Sequence, residues 1–175
     1  MKPRQRIVFL NAVRFGVLAA LVSLCVLGCA GERSGSVSPD PRADPRADEV
    51  VAVAEAIFLA MRSRDAEALR AHFVVEARIY RVGPGPRGPA DVADVSVPKF
   101  VEAVTAGAHL VEERFTQTPS VRCQGRLAQL WGPYELRVDG DVHHCGVNSM
   151  QLVEQGGRWL VTAITYSDDP AACGG

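Results

Sequence analysis

The sequence predicts one α+β domain in which a curved antiparallel sheet wraps one face over about three N-terminal helices. Apolar residues recur at helical spacing before Gly107, whereas five segments of alternating apolar and polar residues follow it. The pairs Gln124-Gly125, Asp139-Gly140 and Gly156-Gly157 separate neighbouring segments, as expected of hairpins. Helices first and strands afterwards favours an α+β fold over alternating parallel units.

The composition and the N-terminus bound the class of protein. The chain has 175 residues, 47% of them hydrophobic and 22% charged, which is typical of a single globular domain. Four basic residues and no acid precede an uncharged apolar run from Phe15 to Gly28. That run is shorter than the roughly 20 residues of a membrane span and fits a secretory signal over 1–28. Without the signal the formal net charge changes from -1 to -5, which argues against nucleic-acid binding.

The end of the signal carries a second indication. The residues Val26-Leu27-Gly28-Cys29 resemble the bacterial lipobox, whose cysteine is lipidated and becomes the mature N-terminus. The resemblance implies a protein of the bacterial cell envelope, exported and held at a membrane by a lipid anchor at Cys29. The alternative is an uncleaved anchor in which Cys29 is one more apolar residue. Residues 29–48 are rich in Ser, Pro, Gly and charge, which predicts a disordered tether before a domain over 49–168 and a tail over 169–175.

The domain begins with helical patterns. In chain order we expect a helix over 48–65 capped by Asp48, a helix over 64–73 capped by Asp65, a strand over 77–82, an irregular loop over 83–97 and a helix over 98–107 opened by Pro98. The loop is expected to be irregular because glycine and proline interrupt it repeatedly. Strands are expected over 109–117, 119–125, 126–140, 141–155 and 156–167.

The stretch His143-His144-Cys145-Gly146 needs a strand register before it can be interpreted. A three-residue loop over 139–141 pairs Val138 with Val142, Leu136 with His144, Tyr134 with Gly146, Leu130 with Met150 and Ala128 with Leu152, which keeps apolar residues opposite one another. His144 then points inward, and His143 and Cys145 point to the other face. Because neighbours on a strand diverge, we expect neither a metal site nor a cysteine nucleophile with a histidine base here.

Two segments carry a resemblance to a known family. Residues 56–82 and 131–167 resemble the nuclear transport factor 2-like superfamily, whose cone-shaped fold is shared by ketosteroid isomerases, SnoaL-like cyclases and many binding domains. The second segment resembles a bacterial SnoaL-like or lumazine-binding subgroup through Trp131, Pro133, Tyr134, Gly140, His144, Cys145, Gly146, Gly157 and Trp159. The resemblance implies a cone around a cavity. It does not imply one activity, because this fold hosts enzymes and non-enzymes.

The inward residues predict a ligand pocket. They are Leu130, Tyr134, Leu136, His144, Asn148, Met150 and Trp159. No carboxylate is assigned among them, so we expect binding of a small apolar ligand or a protein partner without catalysis, cofactor or metal. A core in which the polar residues satisfy one another and water is the plainest alternative. A cyclase-like or isomerase-like enzyme using Tyr134 and His144 is a further one.

The outer face of the sheet suggests a further possible function, association with a partner. Leu127, Trp131, Val147 and Val153 would form an apolar surface there, suited to an assembly partner or to a homodimer through the sheet.

Three cysteines remain after Cys29, and strand geometry separates Cys123 from Cys145 by roughly 26 Å. If Glu154 pairs with Arg158, Ser167 lies beside Cys145 and the tail can curl back. We therefore expect a disulfide between Cys145 and Cys173.

Overall fold

Helices pack on one side of a curved sheet in the computed structural model, which describes residues 44–174 as parts of one compact unit. The elements are α1 Arg46–Ser63, α2 Ala66–Ala71, β1 Phe73–Gly85, β2 Gly88–Ser96, α3 Val97–Thr105, β3 Val111–Phe115, β4 Ser120–Gln124, β5 Leu127–Val138, β6 Asp141–Gln155, β7 Arg158–Ser167 and a closing 3-10 turn Pro170–Gly174. The predicted signal, Cys29 and most of the tether lie outside the described residues. No helix among the described residues is long and apolar enough to cross a membrane.

The helices form largely where the apolar periodicity predicts them. α1 begins at Arg46 after Pro45, so Asp48 is not its N-cap and residues 46–48 belong to the helix rather than to the tether. Asp65 does cap α2, because its Oδ1 accepts hydrogen bonds from the amides of Glu67 and Ala68 at 3.0 and 2.9 Å. The inner side of α1 is buried through Val50, Ala54, Ile57, Phe58 and Met61.

The sheet runs in the order β2-β1-β7-β6-β5-β3, and β4 pairs with the first half of β5. The α+β class is confirmed, but the sheet is mixed rather than purely antiparallel, because β1 lies parallel to β7. The two strands can run parallel because α3 and five further strands separate them in the chain. The sheet is long in its middle strands, and α1, α2 and α3 cover its inner face.

The predicted irregular loop over 83–97 is wrong. Gly88–Ser96 forms β2, which pairs antiparallel with β1 after a turn at Pro86 and Arg87. β2 lies at the edge of the sheet, where glycine and proline are tolerated because one side of the strand needs no partner. The composition of the segment therefore indicated an edge strand rather than an absence of structure.

The β5–β6 register agrees with the prediction over residues 128–136 of β5 and differs from it at the turn. Leu136 pairs with His144, Tyr134 with Gly146, Leu130 with Met150 and Ala128 with Leu152. The loop itself has two residues, Asp139 and Gly140, both with positive φ (53° and 90°), which suits a tight hairpin. A bulge then shifts the register between Leu136 and Arg137, leaving His143 as the extra residue on β6. A shorter turn and a bulge together give the same inward set as the predicted longer loop.

Candidate functional site

A cavity of about 270 Å³ lies between the sheet and the helices α1 and α3. Its lining is mainly apolar, with Ile57, Phe58 and Met61 from α1, Val104 from α3, and Leu136 and Met150 from the sheet. The volume is slightly below the range of about 300–1,000 Å³ that is usual for ligand pockets. The cavity therefore has room for a small, largely apolar molecule.

The polar side chains of the cavity gather on the β3, β5, β6 and β7 side. They are Glu113, Tyr134, His143, His144, Asn148 and Tyr166. Asn148 is 2% exposed, and its Nδ2 donates a hydrogen bond to Glu113 Oε1 at 2.5 Å. Burial raises the pKa of Glu113 from its ordinary 4.5 to about 7, although the bond from Asn148 opposes this shift. Near neutral pH, this carboxyl can either donate or accept a proton.

The two histidines meet because of the bulge. His143 Nδ1 lies 2.9 Å from His144 Nδ1, so the expectation that His143 turns away from the cavity is wrong. An extra residue on one strand breaks the alternation that would have separated the two rings. His143 is exposed and lines the cavity, whereas His144 is 8% exposed. Burial lowers the pKa of His144, and the nearby Asp168 partly opposes this.

One polar atom of the cavity lining has no partner. His144 Nε2 is buried and makes no hydrogen bond to any residue in the described part of the chain. A buried polar atom without a hydrogen bond is costly, and native structures usually satisfy it with a ligand or ordered water. The polar residues of the alternative core therefore do not satisfy His144 Nε2 among themselves, which leaves a ligand or an ordered water as its partner.

Two tyrosines complete the polar region. The Tyr134 hydroxyl donates to the Ser167 carbonyl oxygen at 3.0 Å, and burial together with the charge of Glu113 raises its pKa. The Tyr166 ring stacks on His144, with ring centroids 6.2 Å apart and an interplanar angle of 15°. Burial raises the pKa of Tyr166 as well. Both hydroxyls therefore stay protonated across the neutral range.

The structure brings five of the seven predicted pocket residues to the cavity and places two elsewhere. Tyr134, Leu136, His144, Asn148 and Met150 line it. Leu130 does not, because it is fully buried where β4 and β5 pack directly on α1. Trp159 does not either, because it lies near the start of β7 and its indole nitrogen donates to Glu49 Oε2 of α1 at 3.2 Å. Both face inward, but the helices fill that end of the sheet.

Glu113 and Tyr166 line the cavity although neither was predicted to, and the expectation that no carboxylate points inward is wrong. Glu113 lies on β3 opposite Leu136, which also faces the cavity. The signal was present, because Val111 and Phe115 lie two residues away on either side and share its face. Two adjacent glutamates made the strand look exposed, and only one of them is outward.

The cysteines behave as expected, although the strand register beside them differs. Cys145 and Cys173 form a disulfide with their Cα atoms 5.2 Å apart, and Cys123 is free. Gln155 rather than Glu154 pairs with Arg158. The β6–β7 register shifts once more by one residue between Leu152 and Gln151. The tail still reaches Cys145, because the amide of Asp169 donates to the Cys145 carbonyl oxygen at 2.9 Å.

The register places Ser167 beside Val147, whose amide donates to Ser167 Oγ at 2.9 Å. Gly146 leaves space for Ser167, because a Cβ at Gly146 would lie 1.9 Å from the Ser167 carbonyl oxygen. Over residues 44–174, no group of three His, Cys, Asp or Glu side chains could hold a metal ion.

The fold, with its curved sheet and its cavity under the helices, is the nuclear transport factor 2 (NTF2)-like fold. Solved structures at low sequence identity show this. An NTF2-like protein from Cytophaga hutchinsonii matches with a TM-score of 0.58 at 12% identity, over 71% of this chain and 99% of that one. A provisionally assigned dehydratase of the NTF2-like family from Streptomyces avermitilis matches with a TM-score of 0.55 at 16% identity, over 71% and 98%.

An NTF2-like superfamily protein from Salmonella enterica matches with a TM-score of 0.54 at 14% identity, over 70% of this chain and 89% of that one. No protein-family model matches the sequence, and no curated protein is significantly similar to it. These similarities establish the fold, and the function has to be argued from the site. The SnoaL-like or lumazine-binding subgroup stays a prediction.

Proposed function

We propose that the domain binds a small, mainly apolar molecule in the cavity, with the polar end of the molecule at Glu113, Asn148 and His144. The observation that carries the proposal is the buried His144 Nε2, which lacks a partner in an otherwise apolar cavity. A pocket of apolar walls with a few convergent polar groups is the usual composition of a small-molecule site.

Mass spectrometry of small molecules that co-purify with the full chain tests the proposal. The variant Leu136→Trp, which fills the cavity, provides the comparison. We expect a molecule that accompanies the wild type and is depleted from the variant. If the same molecules accompany both proteins under several growth conditions, the cavity is not the binding site.

A second candidate function is general acid–base catalysis, as in isomerase-like or cyclase-like enzymes. The observation that favours it is Glu113, whose pKa of about 7 suits proton transfer near neutral pH. Glu113 supplies the inward carboxylate that an enzyme of this kind needs and that the sequence did not lead us to expect. A mechanism would use Glu113 as the base and the Tyr134 hydroxyl as a hydrogen-bond donor to the developing oxyanion, which requires that hydroxyl to give up its bond to the Ser167 carbonyl oxygen. Turnover that survives Glu113→Gln with less than a tenfold loss would exclude this role.

We also propose that the chain is anchored in a bacterial cell envelope through a lipid on Cys29. Support comes from the lipobox-like Val26-Leu27-Gly28-Cys29 that follows the apolar run. Stable anchoring requires more than one acyl chain. Fatty-acid labelling of the wild type and of Cys29→Ser tests this, and equal labelling of the two proteins would exclude it.

We further propose that the chain associates with a second copy of itself through the outer face of the sheet. Leu127 and Trp131 are 54% and 53% exposed on that face, where Leu127 pairs with Val153 across β5 and β6. We expect a homodimer that Trp131→Glu converts to monomer in sedimentation velocity. A wild type that is monomeric at high concentration would exclude it.

A further inference from the structure

We infer that the ligand of the cavity carries a protonated amine, whose ammonium group pairs with the Glu113 carboxylate while its apolar part lies along α1. The inference rests on the proposed function and specifies the chemistry of the ligand. It follows from the charges around Glu113, from the hydrogen-bonding capacity left at the polar end, and from the rings beside it.

The arginines near Glu113 are all paired with other carboxylates. Arg62 on α1 lies 3.0 Å from Glu112. Glu135 Oε1 lies 3.1 Å from Arg114 Nη2 and 2.6 Å from Arg137 Nε. Among the described residues, the side chain of Glu113 has the Asn148 amide as its hydrogen-bond partner and no ion pair. The protein therefore places an acid at the cavity without supplying a cation for it.

The hydrogen-bond geometry leaves acceptors for a cationic donor. Asn148 occupies Oε1 of Glu113, and within residues 44–174 no donor reaches the other oxygen. The Tyr134 hydroxyl donates its proton to the Ser167 carbonyl oxygen, and its own oxygen keeps lone pairs that can accept a hydrogen bond. An ammonium has three donors and no acceptor, so it matches this set. Its desolvation is offset by a charge-assisted bond to the carboxylate.

Aromatic rings line the same cavity as the Glu113 carboxylate. The centroid of Tyr134 lies 5.7 Å from that of His144 and 6.2 Å from that of Tyr166. The charge of Glu113 also contributes to the raised pKa of both tyrosines. Tyrosine rings attract cations within about 6 Å of their centroids. They give no comparable stabilisation to an anion.

Anionic and neutral ligands fit this polar end less well. Burial lowers the pKa of His144 and so favours its neutral form, which offers no positive charge to a carboxylate or phosphate. A carboxylate ligand would meet Glu113 and would have to share a proton with it. An alcohol could hydrogen-bond to Glu113 but would leave its charge unpaired.

Binding of an ammonium should release protons, because it favours the ionised form of Glu113. With a pKa of about 7, Glu113 is half protonated at that pH, so about half a proton is released per ligand. The other titratable and charged groups that surround it are Arg62 of α1, Glu112 and Arg114 of β3, Tyr134, Glu135 and Arg137 of β5, His143 and His144 of β6, and Tyr166 of β7. Hydrogen bonds from Arg137 and Arg114 lower the pKa of Glu135, and burial raises the pKa of both tyrosines, so near neutral pH Glu135 stays charged and the tyrosines stay neutral.

Titration calorimetry of the full chain with matched probes tests the inference. The probes are hexyl, octyl and decyl amines, with the alcohols and carboxylates of the same chain lengths. We expect an amine to bind at least about tenfold more tightly than its partners, with proton release in buffers of different ionisation enthalpy. Glu113→Gln should abolish the preference, and Glu112→Gln, on the outer face of the same strand, should retain it.

Three results would overturn the inference. They are equal binding of alcohol and amine, tightest binding of the carboxylate, and a preference for the amine that persists in Glu113→Gln. Each of them leaves small-molecule binding itself intact. If no probe binds, the amine inference also fails, and the co-purification experiment decides separately whether the cavity takes another molecule.

Discussion

Asn148 Nδ2 donates a hydrogen bond to Glu113 Oε1, which joins β6 to β3 across β5 between residues 35 apart in sequence. The bond holds an acid at the cavity in a place where no arginine of residues 44–174 neutralises it. A buried carboxylate that is neither paired with a cation nor saturated with donors is unfavourable when it is ionised. Such a group is usually retained for binding or catalysis rather than for stability.

Glu113 makes the stability of the domain depend on pH. Its folded-state pKa of about 7 lies above its ordinary 4.5, so the folded state holds the proton more tightly than the unfolded state. The contribution of Glu113 is complete below pH 4.5 and is lost as the pH rises through 7. We expect Glu113→Gln to raise the free energy of unfolding by about 3 kcal/mol at high pH and by little at low pH.

Urea unfolding of both proteins at about pH 4.5 and about pH 8 measures this difference. The comparison with the mutant is needed because burial lowers the pKa values of His72 and His144, which act with the opposite sign at lower pH. Glu112→Gln should show no gain at high pH. A gain for Glu113→Gln that is equal at both pH values would mean that its carboxyl titrates normally.

The Tyr134 hydroxyl should contribute to stability by holding the end of β7. Tyr134→Phe removes the donor to the Ser167 carbonyl oxygen, and we expect a loss of about 1 kcal/mol. Tyr166→Phe is the matched control, since the structure shows no hydrogen bond from its hydroxyl to the residues described, and it should cost less. Thermal unfolding of both variants at one pH measures the difference. Equal losses would show that the bond to Ser167 contributes nothing.

The disulfide should stabilise the domain by closing a long loop. Cys145 and Cys173 are 28 residues apart, and the chain-entropy treatment gives about 3–4 kcal/mol for a loop of that length. The double variant Cys145→Ser/Cys173→Ser should lose about this amount in urea unfolding without reductant. Cys123→Ser, which changes a free thiol, should not. Reductant should remove the difference between the wild type and the double variant, and a difference that persists would argue against the bridge.

The contact between Gly146 and Ser167 gives a steric prediction. A Cβ at Gly146 would lie 1.9 Å from a carbonyl oxygen of the backbone, which cannot rotate away. Gly146→Ala should therefore cost about 3 kcal/mol. A Cβ at Gly132 would meet side chains rather than backbone, the Phe115 ring at 2.6 Å and Cβ of Pro119 at 2.8 Å, and side chains can shift more easily than a carbonyl group. The free energy of unfolding should fall less for Gly132→Ala, and the reverse order would show that Ser167 is free to shift.

The fold could be predicted because the sequence features that specify it are local and periodic. The apolar spacing of α1 predicts the helix, and the apolar pairs between β5 and β6 predict most of their register, although the turn at Asp139 and Gly140 is one residue shorter than expected. The disulfide could be predicted as well, although the β6–β7 register beside it was wrong by two residues. A tail of several residues can still reach Cys145 when the register is two residues off, whereas every pair of a strand would then be wrong.

The parts that could not be predicted depend on long-range pairing. The bulge at His143 leaves no mark in composition, because it only compensates for a shorter turn. The inward position of Glu113 depends on how β3 pairs with β5, which no turn residue specifies. Trp159 and Leu130 were placed on the correct face, but only the packing of α1 determines which end of that face is hollow.

The most direct measurement of the central claim is the titration of the Glu113 carboxyl carbon by NMR in the full chain, with Glu113→Gln for assignment. The cavity described above predicts a midpoint near 7, and a bound amine should lower it. A midpoint near the ordinary 4.5 would contradict the account, because Glu113 would then be a solvated surface group rather than the polar end of a binding site.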